Sequence, residues 1–352
     1  MSSIGLLSSL TPWAGSSTRS DQIAEATKFS GVLRVDRGSK IELAKAYGLA
    51  HRGESIPNTV DTRFGMASGS KAFTALATMA LVEDGALSLD MTARLLLGAD
   101  LPLIDDAVTI EHLLGHRSGI GDYLDEDGDL EVTDYVLTAP VHELVTTEDF
   151  LAVLDGYETT FAPGETFSYC NGGYVVLALL IERASGTPYH DLVRQRVTEP
   201  AGMTDSEFFR SDELPSRTAL GYLFNDGGDR TNVFHLPVRA TGDGGCYTTA
   251  ADMRTFWTSL FSGKIVSEQT VADMTRPHSA DVEPGFDYGL GFWLKPGGSG
   301  ESSGVVQLEG MDAGVSFRSV HNPATDLTHT VISNDTDGAW PVAKRLAGLV
   351  EA

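Results

Sequence analysis

Strand-like text sits at the two ends of this 352-residue chain and helix-like text fills the middle. Residues 31–36 and 41–47 flank a Gly38-Ser39 turn and read as a β-hairpin. From about Tyr288 onward, residues 290–294, 305–308, 315–320 and 327–333 read as strands, and residues 341–350 as a closing helix. Between Ser70 and about Arg196 the pattern is mostly helical, as at residues 110–114 and the apolar segment 173–184. Strands at both ends with helices inserted between them predict an α+β fold. Its antiparallel sheet would be flanked by terminal helices and carry a mainly helical subdomain. Residues 1–65 and 230–352 would form the sheet unit and residues 66–229 the helical unit, with a cleft between them. No internal repeat is visible, and Gly297-Gly298-Ser299-Gly300 reads as a flexible inter-strand loop.

At the mouth of the helical part stands Ser68-Gly69-Ser70-Lys71. Phe73, Leu76, Ala77, Ala80 and Leu81 then recur at spacings of three and four, which predicts a helix with one buried face. Gly85 falls where such a helix would end. Positions i and i+3 share a helix face, so the Ser68 hydroxyl and the Lys71 amine can meet. An unpaired buried charge is costly, so a lysine in the first turn of a buried helix needs a use. Desolvation disfavours the ammonium form, and an amine so placed can take the serine's proton to leave a nucleophile. S-x-x-K alone is a weak signal, but no other lysine of this chain has serine or threonine three residues before it.

The length admits one large or two intermediate domains with full cores. A net charge of −24 argues against nucleic acid and against anionic lipid as partners. It fits a well-solvated surface. No apolar run has the length of a membrane span. Residues 1–9 lack the charged n-region and the apolar core of a signal peptide, so the chain reads as cytoplasmic. Two cysteines, Cys170 and Cys246, are too few for a disulfide framework and fit a reducing compartment.

A second cluster is Tyr169-Cys170-Asn171, set within Pro163-Gly164-Glu165 to Gly173-Tyr174. In an extended segment Tyr169 and Asn171 point the same way and Cys170 the other, which would leave its thiol inert. A phenol near an ammonium can shuttle a proton, and the carboxamide can hold a substrate amide. The plain alternative is a polar turn with Asn171 as the N-cap of the following helix.

Several ordered blocks together resemble the serine β-lactamase and penicillin-recognising family, in its class C-like branch. That branch includes D-aminopeptidases, DD-carboxypeptidases and family VIII carboxylesterases. The blocks are Phe64 to Lys71, Leu87-Ser88-Leu89-Asp90, Thr109 to Ile120, Pro163-Gly164-Glu165 through Asn171, and Gly244-Gly245-Cys246 to Met253. The resemblance implies a β-lactamase/transpeptidase-like fold, with Ser68 as the acylated nucleophile, Lys71 as its activator, Tyr169 as general acid/base and Asn171 on the substrate. The class A marks S-D-N and K-T-G are absent.

The third motif departs from that branch, which has K-T-G or H-x-G there. The matching stretch reads Leu308-Glu309-Gly310-Met311, so Leu308 replaces the cation. Gly310 would let a substrate backbone approach, and the N–H groups of Ser68 and Met311 would form the oxyanion hole. Without the cation, and with Glu309 repelling a carboxylate, weak or no β-lactamase activity is expected. The leading function is therefore a serine hydrolase acting through an acyl-enzyme on a small ester, amide or peptide. The alternatives are a weakened ligand-sensing homologue and a true class C-like β-lactamase.

His112 and His116 stand at i and i+4, but the zinc-protease pattern needs glutamate where Leu113 stands, so both read as structural and no metal or cofactor is expected. Residues 122–129 lack the glycine placement of a calcium loop and read as a solvated acidic rim. Asp312 and His321 have no assigned role.

Overall fold

The computed structural model describes residues 16–124, 131, 133–224, 228–296 and 302–350. Its strands in chain order are β1 (Gly31–Arg37), β2 (Lys40–Tyr47), β3 (Leu49–His51), β4 (Ile56–Pro57), β5 (Phe64–Gly65) and β6 (Tyr247–Thr248). They continue as β7 (Ser279–Glu283), β8 (Phe286–Tyr288), β9 (Trp293–Pro296), β10 (Ser302–Asp312), β11 (Val315–Asn322) and β12 (Leu327–Ser333). The expected hairpin is β1–β2, turned at Gly38 with φ +57°, a conformation glycine takes without steric cost. On its other edge β1 pairs antiparallel with β12, so the two ends of the chain share one sheet.

Among the described residues this sheet has eight strands in the order β2-β1-β12-β11-β10-β9-β8-β7. The terminal helices, Ser16–Thr27 and Ala339–Val350, belong to a cluster with the sheet that includes Ala24, Leu33, Val35, Val331, Val342 and Leu346. A larger apolar cluster joins the sheet residues Leu308, Phe317 and Ile332 to helices Lys71–Glu83, Asn171–Ser185 and Ala250–Phe261. There the rings of Phe73 and Phe256 lie 5.2 Å apart. Burying a side chain of this size contributes about 1.5–3 kcal/mol.

Three local expectations shift. The strand expected at 290–294 starts only at Trp293, because Gly291 turns with φ +86° where an added Cβ would come 2.6 Å from that of Ala75. The strand expected at 305–308 extends over Ser302–Asp312, its Glu309-Gly310-Met311 tail held by pairing with β11 rather than by propensity. Between Gly115 and Cys170 the described residues form only short helical turns, the longest a 3₁₀ turn at Thr147–Phe150 that runs into Leu151–Leu154, since the aspartate, glycine and proline of this stretch favour turns. The Gly297–Gly300 loop lies outside the described residues.

Candidate active site

The nucleophile block is held from both sides. β5 pairs with β6, and Met66 N–H donates to the Cys246 carbonyl at 2.9 Å. The chain then turns sharply at Ala67, whose φ of +43° is unusual for a residue with a Cβ. A 3₁₀ turn over Ala67–Ser70 feeds directly into the helix Lys71–Glu83. Ser70 staples the turn, donating to the Ala67 carbonyl at 2.8 Å and accepting the Cys246 N–H at 3.0 Å. Residues three apart eclipse in a 3₁₀ turn, and this brings Ser68 and Lys71 together more directly than a shared α-helical face.

Lys71 is 2% exposed, and its Nζ has three oxygen partners. These are Ser68 Oγ at 2.8 Å, Asn171 Oδ1 at 2.7 Å and the Asp243 backbone carbonyl at 2.7 Å. Nζ also lies 4.9 Å from the ring centre of Tyr169. Four of the residues singled out from the sequence therefore meet here: Ser68, Lys71, Tyr169 and Asn171. Asp243 was missed, because its contribution is a backbone carbonyl and leaves no side-chain signature.

Tyr169 is clamped between rings, with His116 at 4.3 Å and Trp293 stacked at 6.0 Å. His116 Nδ1 accepts the Cys170 N–H at 3.0 Å, so its proton sits on Nε2, which donates to the Tyr288 hydroxyl at 3.2 Å. Burial and the nearby Lys71 hold this imidazole well below its ordinary value, and hence neutral. His112 closes a capping box with Thr109. Both histidines are structural, and the described residues contain no group of three or more metal-ligating side chains.

Asn171 is the first residue of its helix, and the N-cap is Cys170, whose Sγ accepts the Gly173 N–H at 3.3 Å. The capping alternative thus belongs to the neighbour of Asn171. The Cys170 thiol is buried away from the cleft, and desolvation pushes it well above the ordinary range. The acidic-rim reading fails at Asp122, which is a half-buried hydrogen-bond partner of that helix, while residues 125–129 lie outside the described residues. His321 stacks on Trp257 at 5.6 Å and shares a hydrogen bond of 2.9 Å with Thr328, a core position.

Strand β10 forms the opposite wall. Its pairing with β9 ends at Gln307–Trp293. Gly310 lies against the nucleophile turn, since an added Cβ would be 2.2 Å from the Met66 carbonyl and 2.7 Å from the Ser68 nitrogen. Leu308 is buried in the core and Met311 is 43% exposed. Glu309 pairs with Arg318, which also lies over the Trp340 ring at 5.3 Å. Burial raises the Glu309 carboxyl above its ordinary value, against the opposing pull of Arg318.

Two cavities meet at Ser68 and Met311. The larger, of about 400 Å³, is lined by Tyr169, Trp293, Glu309, Arg318 and Trp340. The smaller runs past Asn171 and Asp243 to Tyr123, Leu137 and Leu236.

Comparison with known proteins agrees with this fold. The Beta-lactamase family model matches residues 21–352. Penicillin-binding protein 4* of Bacillus subtilis (strain 168) is 29% identical over 305 residues, which cover 82% of this chain and 64% of that protein. The esterase EstB of Burkholderia gladioli is 30% identical over 306 residues, covering 76% of each. The crystal structure of a penicillin binding protein from Bacillus halodurans superposes with a TM-score of 0.87 at 37% identity, covering 94% of this chain and 99% of that one. The chain belongs to the Beta-lactamase family, within the serine hydrolase superfamily, and has the β-lactamase/transpeptidase-like fold. No helix among the described residues is long and apolar enough to cross a membrane.

Proposed function

We propose that this chain hydrolyses small esters or amides through an acyl-enzyme on Ser68, in a cleft between a sheet unit (residues 1–65 and 230–352) and a helical unit (66–229). The observation that carries this reading is the set of partners around Lys71. Asn171 Oδ1 and the Asp243 carbonyl can only accept hydrogen bonds. Once the amine gives up a proton it keeps two N–H groups and one lone pair; those two oxygens then hold both N–H groups and turn the lone pair toward Ser68 Oγ, 2.8 Å away. Lys71 can then receive the serine proton as Oγ attacks the carbonyl carbon.

The oxyanion that forms is received by the backbone N–H groups of Ser68 and Met311, at the junction of the two cavities. Tyr169 lines the larger cavity, so the leaving group departs on that side and takes the Tyr169 phenol proton, leaving a phenolate. The acyl part rests beside Asn171. Water entering from the leaving side then attacks the ester carbon, the Tyr169 phenolate accepts its proton, and Lys71 returns the serine proton to Oγ as Ser68 is released together with the acid.

Charge in the leaving-group cavity sets the substrate preference. Arg318 is already committed to Glu309 and Trp340, Glu283 adds a second carboxylate, and position 308 holds no cation. Substrates that carry a carboxylate on that side, β-lactams among them, are therefore poor.

The test is labelling with a fluorophosphonate and with a fluorescent penicillin, using Ser68→Ala as control, alongside hydrolysis of short acyl esters. The expected result is fluorophosphonate labelling that requires Ser68, with ester turnover. Labelling by neither reagent overturns the acyl-enzyme. Penicillin turnover with kcat/KM rivalling that on esters overturns the charge preference.

A further inference from the structure

We propose that Asp122-Tyr123-Leu124 is a positioning element for the general base, holding in place both of the oxygens that orient Lys71. This rests on the acyl-enzyme reading above and adds residues to it. The Asp122 carboxylate accepts the N–H of Asn171 at 2.6 Å on one oxygen and the N–H of Gly172 at 2.8 Å on the other. The Leu124 carbonyl accepts from Asn171 Nδ2 at 3.1 Å, which fixes the amide with Oδ1 toward Lys71. Tyr123 donates its hydroxyl to the carboxylate of Asp243, the residue whose carbonyl is the second oxygen on Lys71. Three consecutive residues thus grip two segments that are more than 70 positions apart in sequence and converge on Nζ. The fit at Gly172 is close, since an added Cβ would lie 3.2 Å from Asp122 Oδ1.

The element works with Asp122 ionised. Oδ1 also accepts the Leu124 N–H at 3.3 Å, and a protonated carboxyl would turn an O–H toward one of the three N–H groups and lose that hydrogen bond. Asp122 faces Lys71 from the nucleophile helix, Cys170 from the segment before Asn171, Tyr135 from beyond its loop, and its neighbour Tyr123. Burial raises its carboxyl to about 6, against the opposing pull of the three N–H donors and of Lys71. The Tyr123 phenol is pushed well above its ordinary range by burial and by Asp243, so it stays a donor.

The test is a pH–rate profile of ester hydrolysis for wild type, Asp122→Asn and Tyr123→Phe, with the rate of fluorophosphonate labelling and the thermal unfolding midpoint measured in parallel. Wild-type activity should fall as the pH drops through about 6, the direction set by the raised carboxyl. In Asp122→Asn the plateau of kcat should fall about tenfold or more with KM little changed, and the acid limb should move to lower pH. Tyr123→Phe should lower the labelling rate in the same proportion as kcat while keeping the wild-type limb. A folded Asp122→Asn enzyme with the wild-type limb overturns the proposal. So does Tyr123→Phe at wild-type rates, the deciding variant if Asp122→Asn does not fold. Absence of Ser68 labelling in the wild type is a different outcome, and overturns the acyl-enzyme itself.

Discussion

Replacing Gly310 by alanine tests the oxyanion geometry most directly. The added Cβ would stand 2.2 Å from the Met66 carbonyl, 2.7 Å from the Ser68 nitrogen and 2.8 Å from the Gly69 nitrogen. All three are backbone atoms of the stapled nucleophile turn, so no side chain can swing away. Nonbonded carbons do not approach nearer than 3.0 Å, so β10 must retreat by at least 0.8 Å from that turn. The retreat carries the Met311 N–H away from the Ser68 N–H. A misplacement of about 1 Å costs on the order of 100-fold in rate, and losing one oxyanion donor costs about 100- to 1,000-fold. The expected loss in kcat/KM is therefore about 100-fold or more, equivalent to about 2.7 kcal/mol of transition-state stabilisation. Stability should fall by about 1–3 kcal/mol, as for other overpacked sites. The assay compares kcat/KM on a short acyl ester, the second-order rate of fluorophosphonate labelling and the thermal midpoint. A folded Gly310→Ala enzyme within about threefold of wild type would refute the oxyanion assignment, since overpacking alone then changes nothing at the reacting carbon.

Two further outcomes follow from the same structure. Tyr169→Phe keeps the ring between His116 and Trp293 but removes the hydroxyl, so kcat should fall about 100- to 10,000-fold. Intact-mass spectra during turnover should show any acyl-enzyme that forms persisting, and unchanged kcat removes the tyrosine from the mechanism. Burial lowers the His321 imidazole from 6.5 to about 4, so the unfolded chain takes the proton first and stability drains away as the pH falls through that window. By pH 4.5 the loss is about 2–3 kcal/mol at this one site, and denaturation curves for His321→Asn should converge on wild type by that amount between pH 7 and 4.5. Parallel curves would contradict it.

The parts of this molecule visible in its sequence are those written in short-range pattern. Short strand-like runs beside turn residues marked β1, β2, β11 and β12, and the three-and-four spacing after Lys71 marked the nucleophile helix. Ser68 with Lys71, and Tyr169 with Asn171, are each neighbours within three positions, so spacing alone could pair them. The groups that complete the site are distant in sequence. Asp243 acts through a carbonyl that any residue could supply. Trp293 reaches Tyr169 only because β9 pairs with β10. Asp122 stands in acidic text that resembles a solvated loop, and only the fold shows it half-buried and hydrogen-bonded to the start of the Asn171 helix. Strand β7 has mostly exposed side chains at the sheet edge and carries no apolar alternation to read.

The altered third motif gains a physical meaning from the alternation of β10. Side chains two apart share a face, so Leu308 and Gly310 look the same way, and Glu309 looks the other. Gly310 faces the nucleophile turn and Leu308 is buried in the cluster that includes the nucleophile helix. A cation at 308 would sit on that inner side, where it would need a partner to offset its burial. The chain instead fills the position with an apolar side chain and places its charge on the opposite face, as the Glu309–Arg318 pair across β10 and β11. That pair answers itself and offers a substrate carboxylate little. The nucleophile, its base and the glycine wall therefore stay in place while the anionic anchor is gone. In the proposed reading this separates how the bond is broken from which molecules are admitted.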